Sequence, residues 1–577
     1  MYIERVPNRN SPPAILLRES YREQGKVKKR TLANLSSWPP EMVEKFQALL
    51  RGEVVANSQL EEAFEIVRSR PHGHVAAVLG TLRHLKLEQV VCSRRSHNRN
   101  LVIAMIVARI IEPSSKLAIV RSLDQQTATS TLGELLDVEG ADTKELYEAM
   151  DWLLGRQSLI EQKLAKRHLV DGALVLYDLS STYLEGSLCE LAAYGYSRDG
   201  KKGTLQIVFG LLCDAKGIPI AVEVFEGNTA DSKTLQNQLV KLQKRFGLQR
   251  LVLVGDRGMI TEARIREELK PTNGVDWITA LRAPKIQALF ESGLLHLEDF
   301  QHRDWVEIAC TDYPGERLVA CRNPHLAKQR ASKREELLKA TEQELDKIVA
   351  ATAPSSGQLQ GEKNIGLRVG KVLHRFKMAK HFVLEITDES FNYHRNQQSI
   401  AAESIIDGIY VIRTSVEETT LTAEATVLTY KSLSVVERAF RSFKLVDLQV
   451  RPIYHRLADR VRAHILLCML AYYVEWHMRA ALAPMLFDDD EQANATVVAR
   501  TSVVAPAQRS PKARHKAAHK LTSDGLPVHS FQSLLADLAT VVKNTVQPKP
   551  LICASFDKIT QLTPVQQQAF NLLGLQL

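Results

Sequence analysis

A chain of 577 residues is too long for one compact unit, and its length suggests roughly three or four. With 45% hydrophobic and 24% charged residues it has the make-up of a globular protein with a large core, which excludes a disordered or fibrous chain. A net charge of +9 permits a polyanionic partner without requiring one. The seven cysteines (Cys92, Cys189, Cys213, Cys310, Cys321, Cys468 and Cys553) are scattered and form no CxxC pair. That excludes a zinc ribbon and fits a reducing compartment. No run of about 18 uncharged apolar residues is present, so no membrane span is expected. The opening MYIERVPNRN has no apolar signal core, and a cytoplasmic location is expected.

In chain order, Ile15 to Tyr21 and Lys26 to Leu32 predict two strands joined by a turn over Arg22 to Gly25. This basic hairpin, residues 1–36, reads either as an arm that touches nucleic acid or as a hairpin packed on a neighbour. After Trp38-Pro39-Pro40, residues 41–169 look mostly helical. Arg94, Arg95, Arg99 and Arg109 add positive charge there, so the region reads as helical and DNA-binding, although it has no clear helix-turn-helix pattern.

The texture changes at Ala173. Ala173 to Leu179, Leu205 to Cys213 and Ile218 to Phe225 predict a three-strand meander, with the turn at Asp214 to Gly217. Lys233 to Phe246 predicts a helix, Leu251 to Val254 a fourth strand and Trp277 to Leu281 a fifth. Beyond Pro284 the pattern is mixed. A charged helix is expected over Lys333 to Ala350, a break over Pro354 to Gly361, and strands over Phe382 to Ile386 and Ile409 to Arg413. Helical spacing returns over Thr429 to Lys444 and Ala463 to Leu482. Arg500 to Lys520 holds six Lys or Arg and no acid, which reads as a mobile basic tether. The tail, residues 531–577, shows two helical patches.

Two acids stand at the ends of apolar strands, Asp178 in LVLYDLS and Asp256 in LVLVGDRG. A sheet holds a strand-end carboxylate rigidly, and two on adjacent strands can bridge two divalent cations roughly 4 Å apart. A lone Asp after a strand is more often a turn former. The order strand–Asp, meander, helix, strand–Asp is more specific, because it is the layout of an RNase H-like core. A third ligand is then wanted from a later helix, and Glu437 is the candidate. Glu437, Arg441 and Lys444 stand at i, i+4 and i+7, on one helical face, with Tyr430 near it. Val436, Phe440 and Phe443 form the apolar stripe beside them.

On these residues the chain resembles the insertion-sequence transposases with a DDE triad, in the YREK group (IS-four-like, IS1634 branch). The YREK signature is Tyr, two residues, Arg, three residues, Glu, six residues, Lys. Tyr430, Glu437 and Lys444 fall at its spacings, and Leu433 occupies the Arg position. ESYREQGKVKKR, YDLSSTYLEG, GDRGMIT and VERAFRSFKLVDLQVRPIYHRLADRVRAHILLCMLAYY also look like that branch.

The resemblance implies an α/β fold with a mainly helical N-terminal region. Its RNase H-like core, residues 170–284 and 426–486, is interrupted by a large, mixed, β-rich insertion at 285–425, followed by the basic linker at 487–530. Asp256 and Glu437 are 181 residues apart (437 − 256), which leaves room for that insertion. The implied activity is cut-and-paste DNA transposition, with strand cleavage and strand transfer. Asp178, Asp256 and Glu437 would be the catalytic metal ligands for two Mg²⁺ ions, with Mn²⁺ as a substitute. Tyr430, Arg438, Arg441 and Lys444 would contact DNA. The implied partners are double-stranded transposon ends and target DNA, bound by a homodimer or larger assembly at the nucleoid. Some relatives stack a flipped base on an aromatic residue of the insertion, for which Trp305 and Tyr313 are candidates. A stand-alone nuclease and a DNA-binding relic remain open as alternatives.

Overall fold

The computed structural model describes residues 1–8, 12–23, 26–51, 64–353, 358–489, 502–505, 508–549 and 554–577. Its centre is an eight-stranded sheet. β1 (Tyr2–Val6), β2 (Ala14–Glu23) and β3 (Lys26–Asn34) form a separate antiparallel sheet at the N-terminus, and β4 is Phe64–Pro71. The central sheet begins with the meander β5 (Ala173–Tyr183), β6 (Gln206–Asp214) and β7 (Pro219–Glu226). β8 (Leu251–Val254) and β9 (Val275–Ala280) follow, then β10 (Trp305–Ile308) and β11 (Arg317–Arg322). After the hairpin of β12 (Phe382–Ile386) and β13 (Phe391–Arg395) comes β14 (Ile409–Thr414). The strand order is β10-β11-β14-β9-β8-β5-β6-β7.

β5, β8 and β9 run parallel and the meander antiparallel. β5 and β6 read as nearly continuous apolar runs because both faces of the sheet are covered. One cover is the helix Ala458–Leu482, whose residues from Ala463 to Glu475 are all buried. Its apolar run is core, and among the described residues no helix is long and apolar enough to cross a membrane. The helices His97–Ile111 and Thr143–Leu154 pack on the same helix. Aspartate caps the second with a full capping box, Asp142 to Glu145.

Several expectations need correction. The segment 285–425 is not β-rich: it is dominated by the helices Pro324–Thr352 and Glu362–Phe376. Asn323 caps the first, with Pro324 in its first turn, a helix start compatible with proline's fixed φ. β10, β11 and β14 do not stand apart as a domain, because β14 pairs with β9 and extends the central sheet. The helices and the β12–β13 hairpin share a small core of their own around Leu338, Leu345, Ile365 and Phe391.

The N-terminal hairpin carries a third strand, β1; of its predicted turn over Arg22 to Gly25, Arg22 and Glu23 belong to β2, and Gln24 and Gly25 lie outside the described residues. β4, inside the region read as helical, pairs with β15 (Val542–Pro548), which also pairs with β16 (Phe556–Ile559). Such pairing between distant segments leaves no local signal. Phe46 packs against Phe64 and Phe556 at 5.3 and 5.7 Å between ring centres, joining the N-terminal sheet to the C-terminal one.

The basic tether is also corrected in part. Pro511–His519 is a helix capped by Ser510, and Lys516 is buried, donating to the carbonyls of Ala483 and Asp488 at 2.8 and 2.7 Å. Residues 490–501, including Arg500, and 506–507 lie outside the described residues. The break predicted from Pro354 falls on 354–357, also outside them.

Because β15, β16 and the helix Pro564–Leu572 complete the N-terminal half, truncation after Thr540 should unfold more than a tail. The expected result, read by circular dichroism, is loss of the cooperative thermal transition or a lower midpoint for the whole chain.

Candidate active site

Leu176 of β5 pairs with Val254 of β8 in parallel register, and each candidate aspartate lies two residues further along its own strand direction. The sheet therefore sets Asp178 beside Asp256. Asp178 is still within β5, opposite Leu211 of β6, and its Oδ1 accepts the Leu179 N–H at 2.8 Å. Asp256 lies just beyond β8. Its Oδ1 accepts the N–H groups of Gly258 and Met259 at 3.0 and 2.8 Å, so it is a turn former as well as a candidate ligand. A Cβ on residue 258 would stand 3.3 Å from Asp256 Oδ2, and glycine there keeps that carboxylate uncrowded.

Glu437 comes from the helix Leu433–Arg441, which packs on β5. Val436, Ala439 and Phe440 are its buried face. Phe209 of β6 meets Phe440 edge-on at 5.4 Å and Phe443 in a stack at 6.2 Å, and Phe443 meets Tyr472 at 5.4 Å. Beneath this seat, the Ser442 hydroxyl hydrogen-bonds to the buried Glu475 carboxylate, which is 3.0 and 2.9 Å from it. Arg479 joins Glu475 to Asp447 at 2.7 and 2.8 Å. Burial pushes Glu475 up to about 8, against the pull of Arg479.

The electrostatics tie the three acids together. Burial pushes Asp178 up to about 7, and the charges of Asp256 and Glu437 add to the rise; the Leu179 N–H and Arg198 oppose it. Tyr430 ends the preceding helix, Ala423–Lys431, rather than sharing the Glu437 helix. Its phenol is pushed up to about 12 by burial, with Asp256, Asp178 and Glu437 adding. It therefore stands protonated beside the acids.

The basic residues divide. Arg438 and Arg441 are exposed on the Glu437 helix. Lys444 is buried and ion-paired to Asp199 at 2.7 Å, and Arg451 reaches the same carboxylate at 2.8 Å. Sequence reasoning missed Asp199, Arg451 and Arg198. Arg198 pairs with Asp231, and its N–H reaches Ser181 Oγ at 2.9 Å. The signal was an acid alone in the basic run SRDGKKG. Of the aromatic candidates, Tyr313 is buried in the core around Leu318, under the Arg413 guanidinium at 4.7 Å, so its ring is not available for stacking. Trp305 lies on the edge strand β10, partly exposed, with Arg303 over its ring at 5.4 Å.

The donor set suits a hard divalent cation. It is all oxygen, and among the described residues no Lys, Arg or His forms an ion pair with Asp178, Asp256 or Glu437. The mutual repulsion recorded in Asp178 is what a bound cation relieves. As placed, the acids do not close on one point, since no three His, Cys, Asp or Glu among the described residues could grip a single ion.

The transposase DDE domain family matches residues 173–474, a span that contains all three acids. The chain belongs to the DDE transposases. Residues 3–62 match the N-terminal domain of the IS1634 family transposases, which makes it a transposase of the IS1634 type. DDE transposases are metal-dependent enzymes that cut and transfer DNA, and they generally use divalent metal ions. A solved piggyBac transposase synaptic complex with hairpin DNA is similar over 70% of this chain and 72% of its own, at 11% identity and a TM-score of 0.32. No curated protein matches the transposase.

Two substitutions check how the site is held. Phe209→Ala removes the ring under the Glu437 helix and should lower stability by about 3–5 kcal/mol in a denaturant titration. Asp199→Asn leaves two cations without their carboxylate and should cost about 3 kcal/mol in the same assay.

Proposed function

We propose that this transposase catalyses cut-and-paste movement of an insertion sequence, at an RNase H-like centre where Asp178, Asp256 and Glu437 hold two Mg²⁺ ions. The observation that carries the reading is the parallel register of β5 and β8, which sets two carboxylates side by side with a glutamate helix packed across them. The order β7-β6-β5-β8-β9, with the meander antiparallel and β5, β8 and β9 parallel, supports the RNase H-like core. Two divalent ions bound there supply an activated attacking oxygen and a stabilised leaving oxygen. Mn²⁺ offers the same ligand preference.

The chain's own groups position the DNA. The protonated Tyr430 phenol donates a hydrogen bond to a backbone oxygen at the cut. Arg438 and Arg441, exposed about one turn apart on the Glu437 helix, take flanking phosphates as charge-assisted contacts. Lys444 contributes mainly by fixing the loop at Asp199, and reaches DNA only by leaving that pair. No protein nucleophile is used, because water and then the 3′ hydroxyl attack in turn. Two transposon ends must meet for excision, so the working form is a homodimer or larger on DNA.

The first test combines purified protein, Mg²⁺, a labelled duplex carrying the element's own end, and a target plasmid. End cleavage followed by joining is expected, and both should vanish in Glu437→Ala and on chelation by EDTA. Cleavage without joining would assign a nuclease instead. Asp256→Asn should lose cleavage by at least about 10³-fold with end binding nearly unchanged; full cleavage by that variant would remove Asp256 from the mechanism. Mg²⁺ should also raise the melting temperature of the free protein, and Asp178→Asn should abolish the rise.

A further inference from the structure

Away from the three acids, the helix Ala458–Leu482 packs on the helix His97–Ile111 under the segment 448–457, with the start of the helix Lys116–Leu123 close by. Five basic side chains converge there. Arg109, Lys116 and His464 are 6%, 5% and 5% exposed. His455 and Arg460 are partly exposed. The rings of His455 and His464 are 5.1 Å apart, His455 meets Tyr147 edge-on at 6.0 Å, and Arg460 lies over that tyrosine at 4.4 Å.

Their hydrogen bonding is incomplete. Arg109 donates to the carbonyls of Leu448 and Ser114 at 3.5 and 3.2 Å, and its Nε has no partner. His464 Nε2 stands 3.5 Å from the Val450 carbonyl and 3.9 Å from Cys468 Sγ, and its Nδ1 has no partner. Arg460 Nε is buried without a hydrogen bond. Among the described residues Arg109, Lys116, His455 and His464 form no ion pair; the acid near the group is Asp151, 3.7 Å from Arg460 and half-exposed at the rim.

The buried Arg109 and Lys116, gathered in a low-dielectric site without an ion-pair partner, are costly in their charged forms. The cost shows in the groups themselves: burial and the nearby Arg109 pull Lys116 down to about 7. Burial also pulls His455 down to about 3, with Lys116, Arg109 and Arg460 adding. The helix Lys116–Leu123 begins here, has no acid in its first turn, and adds the positive end of its dipole. Apart from Asp151 at the rim, the groups around the point favour an anion.

We propose that Arg109, Lys116, His455, His464 and Arg460 form a phosphate-binding site, filled in the working complex by a backbone phosphate of the bound DNA. The DNA assignment rests on the transposase reading above. The segment over the site supports it. It leads on from the Glu437 helix, ties to Asp199 through Arg451, and runs beside the end of β5 through the bridge of Ile453 to Leu184. It then presents Tyr454, Arg456 and Leu457 to solvent. A duplex gripped at the acids continues along this surface, and the partly exposed His455 is the way in.

The test uses the full chain. Thermal melts compare chloride with inorganic phosphate at matched ionic strength, and binding to the end duplex is measured across salt, for the wild type, Lys116→Met and His455→Gln. Phosphate is expected to raise the wild-type melting temperature. Lys116→Met should melt higher than wild type in chloride, because an uncompensated buried charge is gone, and should lose the phosphate response. Its DNA affinity should fall about tenfold, and its salt dependence should lessen by about one counterion.

A merely structural lysine would give the reverse: a lower melting temperature with binding unchanged. A wild type without phosphate response, or a Lys116→Met response equal to wild type, overturns the site. If Lys116→Met does not fold, the same readings on His455→Gln decide. Lost phosphate response with unchanged DNA affinity overturns the DNA assignment and leaves a free-anion site. Failure of the wild type to bind its end refutes the proposed cut-and-paste function instead, while the phosphate melts still decide the site.

Discussion

The parallel pairing of β5 with β8 is the constraint on which the rest depends. Main-chain hydrogen bonds between Ala173–Leu176 and Leu251–Val254 hold the two strands in one register, and the aspartates inherit their closeness from it. The side chains gain nothing from each other, since their charges repel and burial sharpens the repulsion at Asp178. A sheet can sustain such a pair because backbone pairing and the apolar faces of β5 and β6 supply the stability that the acids spend.

Glu437 is held differently, by side chains. Its helix has no backbone pairing to the sheet and relies on Phe209, Phe440 and Phe443 for its seat. The buried set of Ser442, Glu475, Arg479 and Asp447 then fixes where the helix ends relative to Ala458–Leu482. Gln532 and Phe531 of the C-terminal helix touch the same set, through Asp447 and Arg479. The last fifty residues therefore support the third acid, although they lie outside the span matched by the DDE domain.

Charge is distributed in the same layered way. Among the described residues Arg438 and Arg441, on the surface of the Glu437 helix, form no ion pair, whereas Lys444 and Arg451 are consumed by Asp199. Helical spacing alone treats Arg441 and Lys444 as equals. Depth separates them, because Lys444 is buried against a carboxylate that offsets the loss of water, and an exposed arginine needs none.

By itself the sequence determined the parts whose signals are local. Leu251–Val254 and Phe382–Ile386 were legible to the residue as apolar or alternating runs, the meander and the long apolar helix nearly so, and the acids followed from their strand ends. The helix at Pro511–His519 starts at a Ser510 cap with Pro511 in its first turn, a local signal that the reading of the basic run as a tether does not use. Tertiary structure alone decided what depends on distant partners. β4 becomes a strand because β15, more than 470 residues later, pairs with it. β10, β11 and β14 join the main sheet because β9 has a free edge for β14. Tyr313 is core and Lys444 is paired because of what folds over them. Periodicity reports which face of an element is apolar; only packing chooses what that face meets.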